Sequence, residues 1–301
     1  MTNPTPPSEG TPGRTHDPGS SPTSTTSEPP VLPATRDQVA THFGRRVPLV
    51  GMVHLPALPG SPWWGGSMER VLESAARDAE AILDGGMDGI LVENFGDVPF
   101  HPGPVPPETL AAMTLAVTRV REVAGDRPVG LNVLRNDARG GLGVAAATGA
   151  TFLRVNVHTG TMFTDQGTLE GRAHETVRLR STLAPKLLIL ADILVKHATP
   201  PQGIDPGLAA GDLRHRGLAD ILLVSGARTG AATDPARVLA AKEAAPDAPV
   251  WVGSGLTPNN ASRLMERAHG AIVGSSLQRD GRAGQGIEVS RVRKLVAAVR
   301  G

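Results

Sequence analysis

The sequence predicts an α/β fold, a (β/α)8 TIM barrel with a disordered N-terminal tail. Three observations predict it. Eight short apolar runs are spaced along residues 48–273, with helical patterns between them. The runs are continuously hydrophobic rather than alternating, which suits strands buried on both faces of a parallel sheet. The last two end in small-residue loops, Gly253-Ser254-Gly255 and Gly274-Ser275-Ser276. In a parallel β/α barrel, the loops after the seventh and eighth strands often form a phosphate cup from backbone N–H groups. The rival is a doubly wound open sheet. It offers no reason for a last helix to follow an eighth strand.

Taken in order, residues 1–34 are rich in Pro, Ser, Thr and Gly and nearly free of apolar side chains. Such a segment buries too little surface to offset its ordering entropy, so it reads as a disordered tail. Residues 35–301 read as one barrel domain, opening with a short helix through Phe43. The eight runs are Pro48–Val53, Gly89–Val92, Val129–Val133, Phe152–Val157, Leu187–Ala191, Ile221–Val224, Val250–Val252 and Ala271–Val273. They are short, rich in Val, Ile and Leu, and bounded by Gly, Pro, Asp or Asn. Met68–Asp84 places Val71, Leu72, Ala75, Ala79, Ile82 and Leu83 near one helical face. Helical patterns follow at Pro107–Val123, Ala138–Thr148, Leu169–Leu183, Pro235–Ala245, Pro258–Ala268 and Ser290–Val299. Asp205–Arg216 has the weakest such pattern.

Composition narrows the function classes. A net charge of +1 gives no electrostatic reason to bind nucleic acid or an anionic membrane. Aromatic residues make up 3% of the chain and tyrosine is absent, which argues against base-stacking platforms. The absence of cysteine excludes disulfides and thiolate catalysis. No apolar run approaches the roughly 20 residues of a membrane span, and no signal-peptide pattern opens the chain. The expectation is a soluble cytoplasmic protein. The sequence sets no oligomeric state.

On a barrel, polar residues just past each strand's carboxyl end converge on one mouth. Glu93 follows Ile90-Leu91-Val92, and Asp192 follows Leu187–Ala191. Burial there would raise the pKa of Glu93 towards acid/base use, whereas the plain alternative is a turn cap. Lys196, four residues beyond Asp192, reads as an acid/base partner or phosphate anchor, against an ordinary loop ion pair. Glu93, Asp192 and Lys196 are the catalytic candidates. Asn132 and Asn156 interrupt apolar runs, where an unpaired amide is costly, so they read as hydroxyl binders. His54, His158 and Ser225 join them as substrate-binding candidates. Gly253, Ser254, Gly255, Gly274, Ser275 and Ser276 are the phosphate-binding candidates, although such glycines also serve plain tight turns. Arg154 is the weaker candidate, because an outward side chain would meet a helix. Asp137 reads as a helix N-cap. His54, His158 and His197, with the two carboxylates, allow a divalent metal but show no spacing signature, so no cofactor is predicted.

Several runs then carry a resemblance. Gly51–Pro62, Val92–Phe100, Leu134–Asp137 and Phe152–Val157 stand with Thr164–Gly167, Ala191–His197, Ser225–Gly230 and Val252–Gly255. Together they resemble the BtpA family, which includes SgcQ-type proteins, over about residues 46–300. The resemblance implies a ribulose-phosphate-binding type of barrel. It links some members to photosystem I biogenesis and others to sugar metabolism. It carries over no catalytic residue. Gln278 stands where the pattern leads one to expect lysine, and Arg228 where a smaller or apolar residue is common.

The expected function is an enzyme acting on a phosphorylated sugar or related phosphometabolite, of isomerase, aldolase or hydrolase type. The alternative is a non-catalytic barrel that assists assembly or stability of a membrane complex such as photosystem I.

Overall fold

The structure, a computed structural model, describes residues 1–2, 32–226 and 232–301. The chain divides into two units, Met1–Pro30 and Val31–Gly301, and the barrel is the second. The predicted tail therefore falls largely outside the described residues, as does Arg228-Thr229-Gly230. The end of the predicted tail is ordered: Ala34 is buried, its N–H donates to Asp220 Oδ1 at 2.7 Å, and its carbonyl accepts from Arg214 Nη1 at 3.2 Å.

Helix α1 (Arg36–Phe43) starts at a capping box in which Thr35 and Gln38 satisfy each other's backbone N–H groups. Then come β1 (Leu49–His54), α2 (Met68–Asp84), β2 (Gly89–Glu93), α3 (Pro107–Ala124), β3 (Val129–Asn132), α4 (Ala138–Thr148) and β4 (Phe152–Val155). A hairpin of β5 (Thr161–Thr164) and β6 (Gly167–Glu170) precedes α5 (Ala173–Leu183) and β7 (Leu188–Asp192). Next are β8 (Ala198–Thr199), α6 (Pro206–His215), β9 (Ile221–Val224), α7 (Pro235–Ala244) and β10 (Val250–Val252). The chain ends with α8 (Ala261–Met265), β11 (Ala271–Val273), two short 3-10 turns and α9 (Val289–Arg300). The eight predicted runs form a closed parallel barrel in the order β1-β11-β10-β9-β7-β4-β3-β2, which removes the open-sheet rival.

Two predicted helices are shorter than expected. The start of Leu169–Leu183 is drawn into β6, which pairs antiparallel with β5 across Asp165-Gln166. The start of Pro258–Ala268 is a turn instead, because the Asn260 side chain accepts from Thr257 N–H and donates to the Gly255 carbonyl. Asp137 caps α4 as predicted, accepting from Gly140 N–H at 2.7 Å.

The core has two layers. One lies between strands and helices. The other fills the barrel with Val50, Met52, Leu91, Phe152, Leu190, Leu223, Trp251 and Ile272. Phe43 of α1 joins this inner layer, its ring 5.4 Å from Phe152 and 5.2 Å from Trp251. Strand side chains alternate with a period of two. The inward set therefore continues from Met52 to His54, from Leu91 to Glu93, from Phe152 to Arg154 and Asn156, and from Leu190 to Asp192.

Candidate functional site

Asp192, at the end of β7, is the hub of the mouth. Its Oδ2 accepts from Arg154 Nε and Asn156 Nδ2, each at 3.0 Å. Its Oδ1 accepts from Arg154 Nη2 at 2.9 Å and Ser225 Oγ at 3.2 Å. The ion pair is fully buried, both side chains being 0% exposed. Asn132 Nδ2 donates to Asn156 Oδ1 at 3.2 Å, extending the chain of contacts to β3. Four donors fill the acceptor positions of a carboxylate and leave none open for a substrate proton.

Glu93 is built differently. Its carboxylate is buried and takes no side-chain hydrogen bond among the described residues; His54 Nε2 stands 3.8 Å from Oε1. Burial pushes its carboxyl above the usual range, against the pull of Lys196, Arg154 and Arg135. Burial depresses the Lys196 ammonium, aided by Arg154 and opposed by Glu93 and Asp192. The Arg135 side chain accounts for part of this setting: its Nη2 donates to the Lys196 carbonyl at 2.5 Å and holds the lysine loop. Glu93, Lys196, Arg135, Asn156, Phe95 and His197 line one cavity of about 560 Å³.

The turn after β2 fixes Glu93 against the β1 loop. Leu55 N–H donates to the Glu93 carbonyl at 2.9 Å, and Gly96 N–H to the Leu55 carbonyl at 3.0 Å. A Cβ on Gly96 would lie 2.3 Å from Ala57 N, which is backbone and cannot rotate away. Gly96→Ala is therefore expected to lower stability by about 1–3 kcal/mol. Denaturant unfolding measures this, and an unchanged midpoint would refute it.

A second cavity, about 330 Å³, adjoins the two small-residue loops. His54, Lys196, Ser254, Gly255, Ser275 and Ser276 contribute to its wall, with Arg291 and Lys294 of α9 on another side. The N–H groups of Ser254, Gly255, Ser275 and Ser276 meet no acceptor in turns or loops among the described residues. Such grouped amides attract an anion. Ser276 Oγ donates to the Leu256 carbonyl at 2.7 Å and ties one loop to the other. Among the described residues no three His, Asp or Glu side chains converge as a metal would require.

Residues 45–301 match the family described as the BtpA family. The Photosystem I biogenesis protein BtpA of Synechocystis is 45% identical over 257 residues, covering 85% of this chain and 89% of that protein. The chain belongs to the BtpA family. An uncharacterised protein of Thermococcus kodakarensis, TK2179, is 43% identical, with 83% of this chain and 94% of that one covered. Among solved structures, thiamine phosphate pyrophosphorylase from Pyrococcus furiosus superposes with a TM-score of 0.54 at 15% identity, covering 84% of this chain and 96% of that one. Phosphoribosyl anthranilate isomerase from Thermococcus kodakaraensis gives 0.52 at 16% identity, covering 85% and 100%. At such identities the likeness shows the barrel fold.

In this BtpA-family barrel, Glu93, Lys196, His54, Asn156, Asp192 and Ser225 gather at one mouth beside the two loops. The amides of Asn132 and Asn156 are engaged with each other and with the hub, not presented to a cavity as a pair. Arg154 points inward, contrary to the expectation. Residues 154 and 156 share one face of the strand, so the inward reading of Asn156 already implied it. Arg135, just past β3, was given no role, and Arg291 and Lys294 were missed as lining residues. The last two sit one helical turn apart on α9, away from the strand ends. Trp63 is exposed, whereas Trp64 packs against the core.

His158 is not at the mouth cavities. Its ring is buried, Nε2 meeting the Gly217 carbonyl at 2.8 Å, so Nε2 carries the proton. Burial pushes its pKa down to about 4. As pH falls from the ordinary value near 6.5 towards 4, the unfolded chain takes up this proton and the folded one resists, so stability drops. His158→Gln keeps a donor and removes the titration. It is expected to reduce the acid loss of stability across that window by on the order of 3 kcal/mol. Equal unfolding free energies at every pH in the two proteins would refute this.

Proposed function

We propose that the protein is an enzyme acting on a phosphorylated sugar or related small phosphometabolite. One observation carries the reading: Lys196 borders both cavities, the amide-lined cup and the chamber that holds Glu93. A ligand whose phosphate rests on Ser254, Gly255, Ser275 and Ser276 would present its carbon chain to Glu93 across that lysine. Glu93 serves as the proton acceptor and donor, since burial raises its carboxyl above the ordinary glutamate range. Lys196 supplies the positive charge for an oxyanion or phosphate, or an amine for a carbonyl. Asp192 is reassigned from catalytic candidate to positioning residue, because Arg154, Asn156 and Ser225 occupy its oxygens. Isomerase, aldolase and hydrolase chemistry all suit this set. The structural neighbours named for phosphorylated substrates support the substrate class by analogy.

A second reading, a non-catalytic assembly factor, is supported by the name of the Synechocystis relative. Thermal unfolding against a panel of phosphosugars separates the two. A cognate ligand at about 100 times its Kd should add ~2.7 kcal/mol. No shift with any member, together with co-purification of a membrane complex, would favour the second reading.

A further inference from the structure

His54 lines the cup and reaches towards Glu93 of the neighbouring chamber, and the group behind its ring is Gln278. Gln278, just after the β11 turn, is 0% exposed. Its Oε1 accepts from Gln285 N–H at 2.9 Å, which fixes the orientation of the amide. Nε2 is left to donate, and the atom it meets is His54 Nδ1. A ring nitrogen that accepts carries no proton, so the proton of neutral His54 stands on Nε2. That edge faces the site. Nε2 is 3.8 Å from Glu93 Oε1, and a Cβ on Gly274 would lie 3.4 Å from it, so the ring edge lies between the carboxylate and the β11 turn. Burial holds the ring neutral, with a pKa of about 3.

We propose that Gln278 is a positioning residue that holds His54 as a neutral Nε2–H donor, aimed at a carbonyl oxygen of the ligand opposite Glu93. The donor role rests on the phosphometabolite reading above; the placement of the proton does not. In the step this allows, the Glu93 carboxylate removes the proton on the carbon next to the carbonyl. The C–H electron pair forms the C=C bond of an enolate, and the carbonyl electrons move to oxygen. His54 Nε2–H hydrogen-bonds that oxyanion without giving up its proton. Glu93 then returns its proton to carbon, so nothing is oxidised or reduced overall. Neutral imidazoles polarise carbonyls in this way opposite a carboxylate base. The substrate class narrows to phosphorylated compounds with a carbonyl beside a C–H bond.

Long-range 15N–1H NMR of the full chain reads the tautomer directly. The expected pattern is a bare Nδ1 and a protonated Nε2 for His54 throughout about pH 5 to 8. Gln278→Glu keeps the acceptor for Gln285 and replaces the donor with a carboxylate, so the proton is expected to move to Nδ1. A protonated Nδ1 in the unaltered protein, or an unchanged pattern in Q278E, overturns the proposal. The unaltered spectrum decides the tautomer even if Q278E does not fold. Calorimetry then compares inorganic phosphate with phosphoglycolohydroxamate, a mimic of a phosphorylated enediolate. The mimic is expected to bind about 10- to 100-fold tighter, with Q278E erasing that ratio between the two anions even where the added carboxylate weakens both. Equal affinities in the unaltered protein overturn the donor role. Failure of both anions to bind overturns the cup itself, and the donor role with it.

Discussion

Arg154→Met is expected to destabilise the protein by about 3–5 kcal/mol. The substitution leaves Asp192 as a buried carboxylate with Asn156 and Ser225 as its remaining donors. The cost comes from the stranded charge more than from the lost attraction, since both ions are already out of water. Asp192→Leu should be similarly harmful, stranding a guanidinium whose Nη1 already has no acceptor among the described residues. The double variant, Arg154→Met with Asp192→Leu, removes both charges and should lose far less than the sum. Urea unfolding of all four proteins measures the coupling. Additive losses would show that the two side chains are independent and that Asp192 is not held by its arginine.

Glu93→Gln is expected to lower turnover about 10²- to 10⁴-fold on the metabolite that the thermal screen identifies. It should not destabilise the fold. The folded-state pKa of Glu93 is raised by burial, so the ionised form weakens folding above that pKa. Glutamine removes the penalty, and the variant should be as stable as the parent or more so at pH 7. The advantage should fade as pH falls below the ordinary glutamate value, where the unfolded glutamate is also protonated. Turnover assays beside denaturation at both pH values test this. Unchanged turnover would remove the catalytic assignment, and a large loss of stability at pH 7 would make Glu93 a structural anchor.

These two residues also show what was legible in the chain. Both follow an apolar run directly, and barrel geometry sends such positions to the mouth. Sequence could therefore place Glu93 and Asp192 together. It could not tell them apart, because the difference lies in partners from other strands: among the described residues, four donors on one carboxylate and none from a side chain on the other. Arg154 was recoverable by counting back two residues from Asn156. His158 was not, since its partner is the carbonyl of Gly217, 59 positions away in sequence. The strands were legible because continuous apolar runs have few alternatives in an α/β chain. The β5–β6 hairpin was not, because Leu169 and its neighbours also fit the helical pattern that follows.

That hairpin bears on the lysine. Thr164 pairs with Ala198 and Phe163 with Thr199, just beyond Lys196, while Ile193 N–H is tied to the Leu223 carbonyl at 3.0 Å on the other side. The amine thus rides on a short bridge clamped at both abutments. Trimming the hairpin would loosen one abutment and let the amine wander, so edits at the periphery that border neither cavity would still reach Lys196.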